Sequence, residues 1–249
     1  MLGLYEPAQG WRRWGFVPVA LLTGVLPLLL GAALGRPIHQ ALTALLLFAL
    51  FLSALRSQRL GAAVATVGLV FLGHSVLAIA LSAAFPERMA ACLPGGADYW
   101  EQQRIWITTG VNDEYLVANW LPFHAQLFAA MVVLSYLSLG LLPFYQGFYE
   151  VDLMNYYVGQ LVTRSDSLGV ALGLGWHPWS VCRGLCYVAL ALVVGQASLA
   201  RMCGRPLGTP RARGALWGAA VLFFLLDCWV KFLATEAVRS ALQRNLLPG

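Results

Sequence analysis

Long unbroken apolar runs dominate this chain, in place of the two-residue alternation of half-buried strands or the narrow stripe of water-facing helices. Six of them are long enough to cross about 30 Å of hydrocarbon as helices. They cover about 15–34, 39–55, 61–84, 121–145, 179–200 and 215–238. The first holds Pro18 and Pro27, and a bend is expected near the second. GRPIH forms the turn into the second run, and Arg56 and Arg59 close it.

Two stretches break the pattern. Residues 85–119 are polar and acidic, with Trp100, Trp106, Tyr99 and Tyr115 among the charges. Amphipathic aromatic rings collect at the headgroup level, so an interfacial helix is expected over 98–108. Residues 147–177 are polar as well, yet Leu153, Tyr156, Tyr157 and Leu161 recur at helical spacing. That pattern predicts an interfacial or re-entrant segment over 153–175. No polar stretch exceeds about 35 residues, too few to bury a core alone. The expectation is one all-α domain over 1–249, a polytopic transmembrane helical bundle of about six spans.

Composition agrees. Hydrophobic residues make up 59% and charged residues 11%, with mean hydropathy +0.70. Soluble domains carry roughly 25% charged residues, so this chain cannot cover a water-facing surface. Its partner is first of all the lipid bilayer. The net charge of +5 comes from arginines at the ends of apolar runs, a placement that suits membrane orientation and not nucleic acid. The Leu, Ala, Gly and Arg bias suggests a GC-rich genome, and a bacterial cytoplasmic (inner) membrane is the expected location.

Orientation is in conflict. Arg12, Arg13, Arg56 and Arg59 place the N-terminus inside, whereas Arg201, Arg205, Arg211 and Arg213 place the connection between the fifth and sixth spans inside. Six simple spans put these groups on opposite faces. Either one group breaks the positive-inside rule, or 147–177 adds a passage. Arg164 and Asp166 favour six spans with the N-terminus inside.

Candidate chemistry is sparse. Asp227 and Lys231 lie one turn apart near the middle of the sixth span, Glu236 follows, and Arg183 opens the fifth. Charges at such depth are costly and are expected to pair. A contact from Arg183 to Asp227 or Glu236 is predicted. Asp227, His124 and His74 are the candidate catalytic residues. Glu150, Asp152, Tyr156, Tyr157 and Arg164 suit docking of a partner or headgroup beside the membrane. Glu101, Arg104, Asn112, Asp113 and Glu114 read as a wet loop.

The five cysteines contain no CxxC, and phosphate-loop, zinc-protease, nucleophile-elbow and dinucleotide motifs are absent. No metal site and no cofactor is expected. A haem held by His74 and His124 is disfavoured, because the two differ in depth by roughly 10 Å at 1.5 Å per residue. Two functions follow. One is a non-catalytic or transport (permease-like) subunit of a larger membrane complex, with other membrane subunits as partners. The alternative is a membrane-embedded enzyme acting on a lipid or lipid-linked substrate.

Overall fold

The computed structural model describes residues 16–56, 60–204 and 209–246. These residues form ten α-helices and no sheet. The helices are α1 (Phe16–Leu34), α2 (Ile38–Arg56), α3 (Leu60–Ala84), α4 (Pro86–Cys92), α5 (Gly96–Thr109), α6 (Val117–Ser138), α7 (Leu141–Arg164), α8 (Leu168–Gly175), α9 (Pro178–Cys203) and α10 (Pro210–Asn245). A 3-10 turn spans Asp113–Tyr115. Six helices are long and apolar enough to cross a membrane: α1, α2, α3, α6, α9 and α10. The protein is an all-α helical bundle of integral membrane type. The expected interfacial helix at 98–108 coincides with α5.

The fourth apolar run does not continue to 145. It stops at Leu139 and Gly140, whose φ angles of 57° and 100° lie in the left-handed region. Gly adopts that region without strain and Leu rarely does. Two such residues in succession reverse the chain and separate α6 from α7. The expectation for 153–175 also needs correction. Its first part is the second half of α7, buried in the bundle rather than lying along its surface, and only Leu168–Gly175 is a short separate helix.

α7 is the axis of the fold. Its 24 residues span about 36 Å at 1.5 Å per residue. It runs parallel to α3: Phe148 stacks on Phe71 at 4.3 Å, Asp152 meets His74, and Gln160 donates to the Ser82 carbonyl. It runs antiparallel to α2: Phe144 packs edge-on to Phe51, while Asp152 meets His39. Small residues let the backbones approach. A Cβ on Gly159 would fall 2.6 Å from Ser82 Cβ, and one on Gly24 of α1 would fall 2.3 Å from the Val70 carbonyl oxygen.

With α7 counted, the chain runs the length of the bundle seven times. The C-terminal ends of α2 and α9 and the start of α10 therefore gather at one end, near the Leu139–Gly140 turn. Arg56, Arg201, Arg211 and Arg213 sit there, and among the described residues no Asp or Glu joins them. α4, α5, the 3-10 turn and α8 cap the other end. There Trp106, Tyr157 and Trp179 form a fully buried aromatic layer. The last turns of α10 grip α5, with Arg239 Nη1 donating to the Ile107 carbonyl and Gln243 Nε2 to that of Thr108.

Candidate functional site

Two clusters of polar side chains are buried in the bundle, on opposite sides of α7. The first joins α9, α10 and α6. Arg183 Nε and Nη2 lie 3.2 and 3.4 Å from the two oxygens of Asp227, a two-pronged pair. His124 Nδ1 lies 3.2 Å from Asp227 Oδ2. The predicted contact between Arg183 and Asp227 is thus present. Asp227 and Lys231 project from the same face of α10 because they are four residues apart. Lys231 is buried, with Nζ 3.8 Å from Glu114 Oε1 and 5.0 and 5.4 Å from the ring centres of Tyr115 and Trp120. Glu236 is not part of this group. It is exposed at the outer end of α10 and pairs with Arg239.

A cavity of about 960 Å³ opens beside this cluster, walled by α3, α6, α7 and α9. Towards the basic end its walls are apolar, from Val67, Phe144 and Ala191. Towards the other end Glu114, Asn119, His124 and Arg183 line it, with Glu150 projecting from α7. Leu72 and Val76 of α3 line the cavity and are more than half exposed, so the cavity is open at their position. The cavity therefore communicates sideways with the surroundings of the helices, which in a membrane are lipid. His124 Nδ1, though close to Asp227, is buried without a hydrogen-bond partner among the described residues, so this ring beside the cavity has unused hydrogen-bonding capacity.

The second cluster joins α2, α3 and α7. His39 Nε2 lies 2.8 Å and Gln40 Nε2 2.8 Å from Asp152 Oδ2, and His74 Nε2 lies 2.6 Å from Asp152 Oδ1. All four side chains are buried. The sequence placed Asp152, Tyr156 and Tyr157 in a docking surface, and the structure corrects this. Each is at most 5% exposed, because α7 passes between other helices. Glu150 faces the cavity. Of that group only Arg164 reaches the surface, where it lies 5.3 Å from the centre of the Trp100 ring. His74, a candidate catalytic residue, belongs to this cluster and not to the one around Asp227. His74 and His124 lie beside different carboxylates, Asp152 and Asp227.

Sequence reasoning assigned no role to His39 or Gln40, because the start of an apolar run reads as a boundary. Glu101 and Arg104, read as loop residues, form an exposed pair on α5 with N–O distances of 2.8 and 2.5 Å. Hydrogen bonding from Arg104 holds the Glu101 carboxyl below its ordinary range.

No protein-family model, curated protein or solved structure matches this chain. The fold and the buried charges by themselves define its class, a polytopic helical integral membrane protein.

Proposed function

We propose that the protein binds an amphipathic lipid or lipid-linked molecule in the cavity between α3, α6, α7 and α9, and acts on its polar end as a membrane-embedded enzyme. The observation that carries this reading is the cavity itself. Its volume of about 960 Å³ is at the upper end of the range usual for small-molecule sites, and such sites are apolar with a few convergent polar groups. The apolar walls suit acyl or prenyl chains, and the sideways opening past Leu72 and Val76 suits entry from the bilayer. His124 and Glu150 are the groups placed to move a proton at the ligand's polar end. Arg183, held by Asp227, is placed to hydrogen-bond an oxygen of the head.

The charges limit the head. Arg183 and Lys231 are offset by Asp227 and Glu114, and Asp113 and Glu150 also line the cavity, so the site has no excess of positive charge. A head of modest charge, rich in hydroxyl, amide or ester oxygens, fits this balance better than a polyanion. A partner-docking subunit has less support, since the segment expected to dock is core. If the arginine-rich end faces the cytoplasm, the polar end of the cavity lies in the outer leaflet of a bacterial inner membrane.

The test is native mass spectrometry of the full chain extracted in mild detergent. A co-purifying lipid is expected, and Gly68→Phe should expel it. Gly68 lines the cavity with open space around the position of a Cβ, so a ring there fills the cavity at little cost to folding. A lipid retained at equal stoichiometry in that variant would sink the proposal.

A further inference from the structure

The carboxylate of Asp152 lies between two imidazoles whose remaining nitrogens are already engaged. His74 Nδ1 faces the carbonyl oxygen of Gly24 at 3.3 Å, and His39 Nδ1 faces the Cys92 thiol at 3.5 Å. His74 Nε2 and His39 Nε2 both point at the Asp152 carboxylate, 2.6 Å from Oδ1 and 2.8 Å from Oδ2, so two imidazole nitrogens and a carboxylate converge inside the bundle.

We infer that His39, His74 and Asp152 form a binding site for a divalent transition-metal ion held inside the membrane domain. Two imidazoles and a carboxylate are the donor set that zinc and ferrous iron take. The three donor atoms lie within 4.8 Å of one another, and every ligand side chain is buried. Metal-binding histidines usually hold their other ring nitrogen on a carbonyl or a similar group, as Gly24 and Cys92 do here. Gln40, hydrogen-bonded to Asp152 at 2.8 Å, supplies a fourth oxygen when its amide is turned over.

A second observation points the same way. Thr43, one turn after His39 on α2, and Asn155, one turn after Asp152 on α7, are fully buried, and their side-chain polar atoms lack hydrogen-bond partners among the described residues. Buried polar groups are seldom left so, and both flank the triad. A tetrahedral ion with bonds of about 2.0 Å spaces its ligand atoms by about 3.3 Å. The nitrogen–oxygen distances must open by roughly half an ångström, within reach of side-chain rotation. No ligand position opens to solvent, so the ion is structural. It ties α2 and α3 to α7 and, through His74, to the Gly24 carbonyl of α1. The site is independent of the cavity and of any ligand bound there.

The experiment is elemental analysis of the full chain, purified in detergent without chelator and again after incubation with Zn2+, Fe2+ or Co2+. One ion per chain is expected, with visible d–d absorption for the Co2+ form. His74→Ala and His39→Ala should lose the ion, while Cys203→Ser, which removes the exposed thiol, should keep it. Where the histidine variants fail to fold, the wild-type chain still decides the matter. A chelator should lower its melting temperature and added Zn2+ should restore it. A folded, monodisperse wild-type preparation that takes up no ion and whose melting is indifferent to chelator would overturn the site.

Discussion

At the scale of single residues, the decisive fact about Asp227 is that its partner cannot escape. Arg183 is 17% exposed and Asp227 is 2% exposed on the side-chain scale. Removing one member of a buried pair typically costs about 3–5 kcal/mol, because the other charge is left in a poor solvent. Asp227→Asn is therefore expected to lower thermal stability in detergent strongly, and the double variant Asp227→Asn with Arg183→Gln should recover much of the loss. Equal destabilisation by the single and double variants in a melting experiment would show the pair to be unimportant. The exposed pair on α5 behaves differently. Arg104 lowers the Glu101 carboxyl, so its small contribution is complete above the ordinary carboxylate pKa. It fades as the pH falls through the lowered one. Glu101→Gln should leave the melting temperature almost unchanged at neutral pH, and high salt should erase any difference. Hydropathy made Asp227, Lys231 and Arg183 visible because charges stand out in apolar runs. It pointed to Arg183 as a partner for Asp227 or Glu236, but not to His124 beside the same carboxylate, since that residue lies on α6, scores of positions away.

At the scale of elements, the contacts between helices rest on missing side chains as much as on present ones. Gly159→Leu must push α7 off α3, since even a Cβ would meet Ser82 and the Ile79 carbonyl. Gly68→Ala on α3 meets nothing within 4 Å and gains helix propensity of up to about 1 kcal/mol. The first variant should fail to fold or melt far lower, and the second should melt at or slightly above the wild type. Similar melting of both in a detergent thermal scan would contradict the α3–α7 contact. Most elements were legible from hydropathy: α1, α2, α3, α9 and α5 fall close to their expected bounds. α7 was not. Its Glu150, Asp152, Asn155 and Gln160 lower its hydropathy to that of a surface segment, and a polar helix reads the same whether water or protein covers it. Only the positions of His39, His74 and the Ser82 carbonyl distinguish the two, and these lie on other helices.

At the scale of the whole molecule, counting the buried α7 beside the six apolar helices removes the charge conflict that six passages create. Arg56 and the arginines around the α9–α10 connection share one end, as the positive-inside rule requires. Single-cysteine labelling checks this. Exposed Cys203 should react with an impermeant maleimide only when the cytoplasmic face is opened, whereas a cysteine introduced for Asp98 on α5 should react from the opposite side. Labelling of both from one side would return the count to an even number. A consequence for biogenesis follows from the order of the helices. A carboxylate near the centre of a helix costs about 2.5–3.5 kcal/mol at the translocon, so α7, carrying both Glu150 and Asp152, has little reason to enter lipid alone. α2 and α3 are synthesised first, and they carry the two imidazoles that receive Asp152. The early helices thus act as a template for a later one that hydropathy would leave outside. In a chain lacking both histidines, α7 should remain at the surface during synthesis. Everything after it would then thread the other way, and a reporter fused to the C-terminus would appear in the wrong compartment.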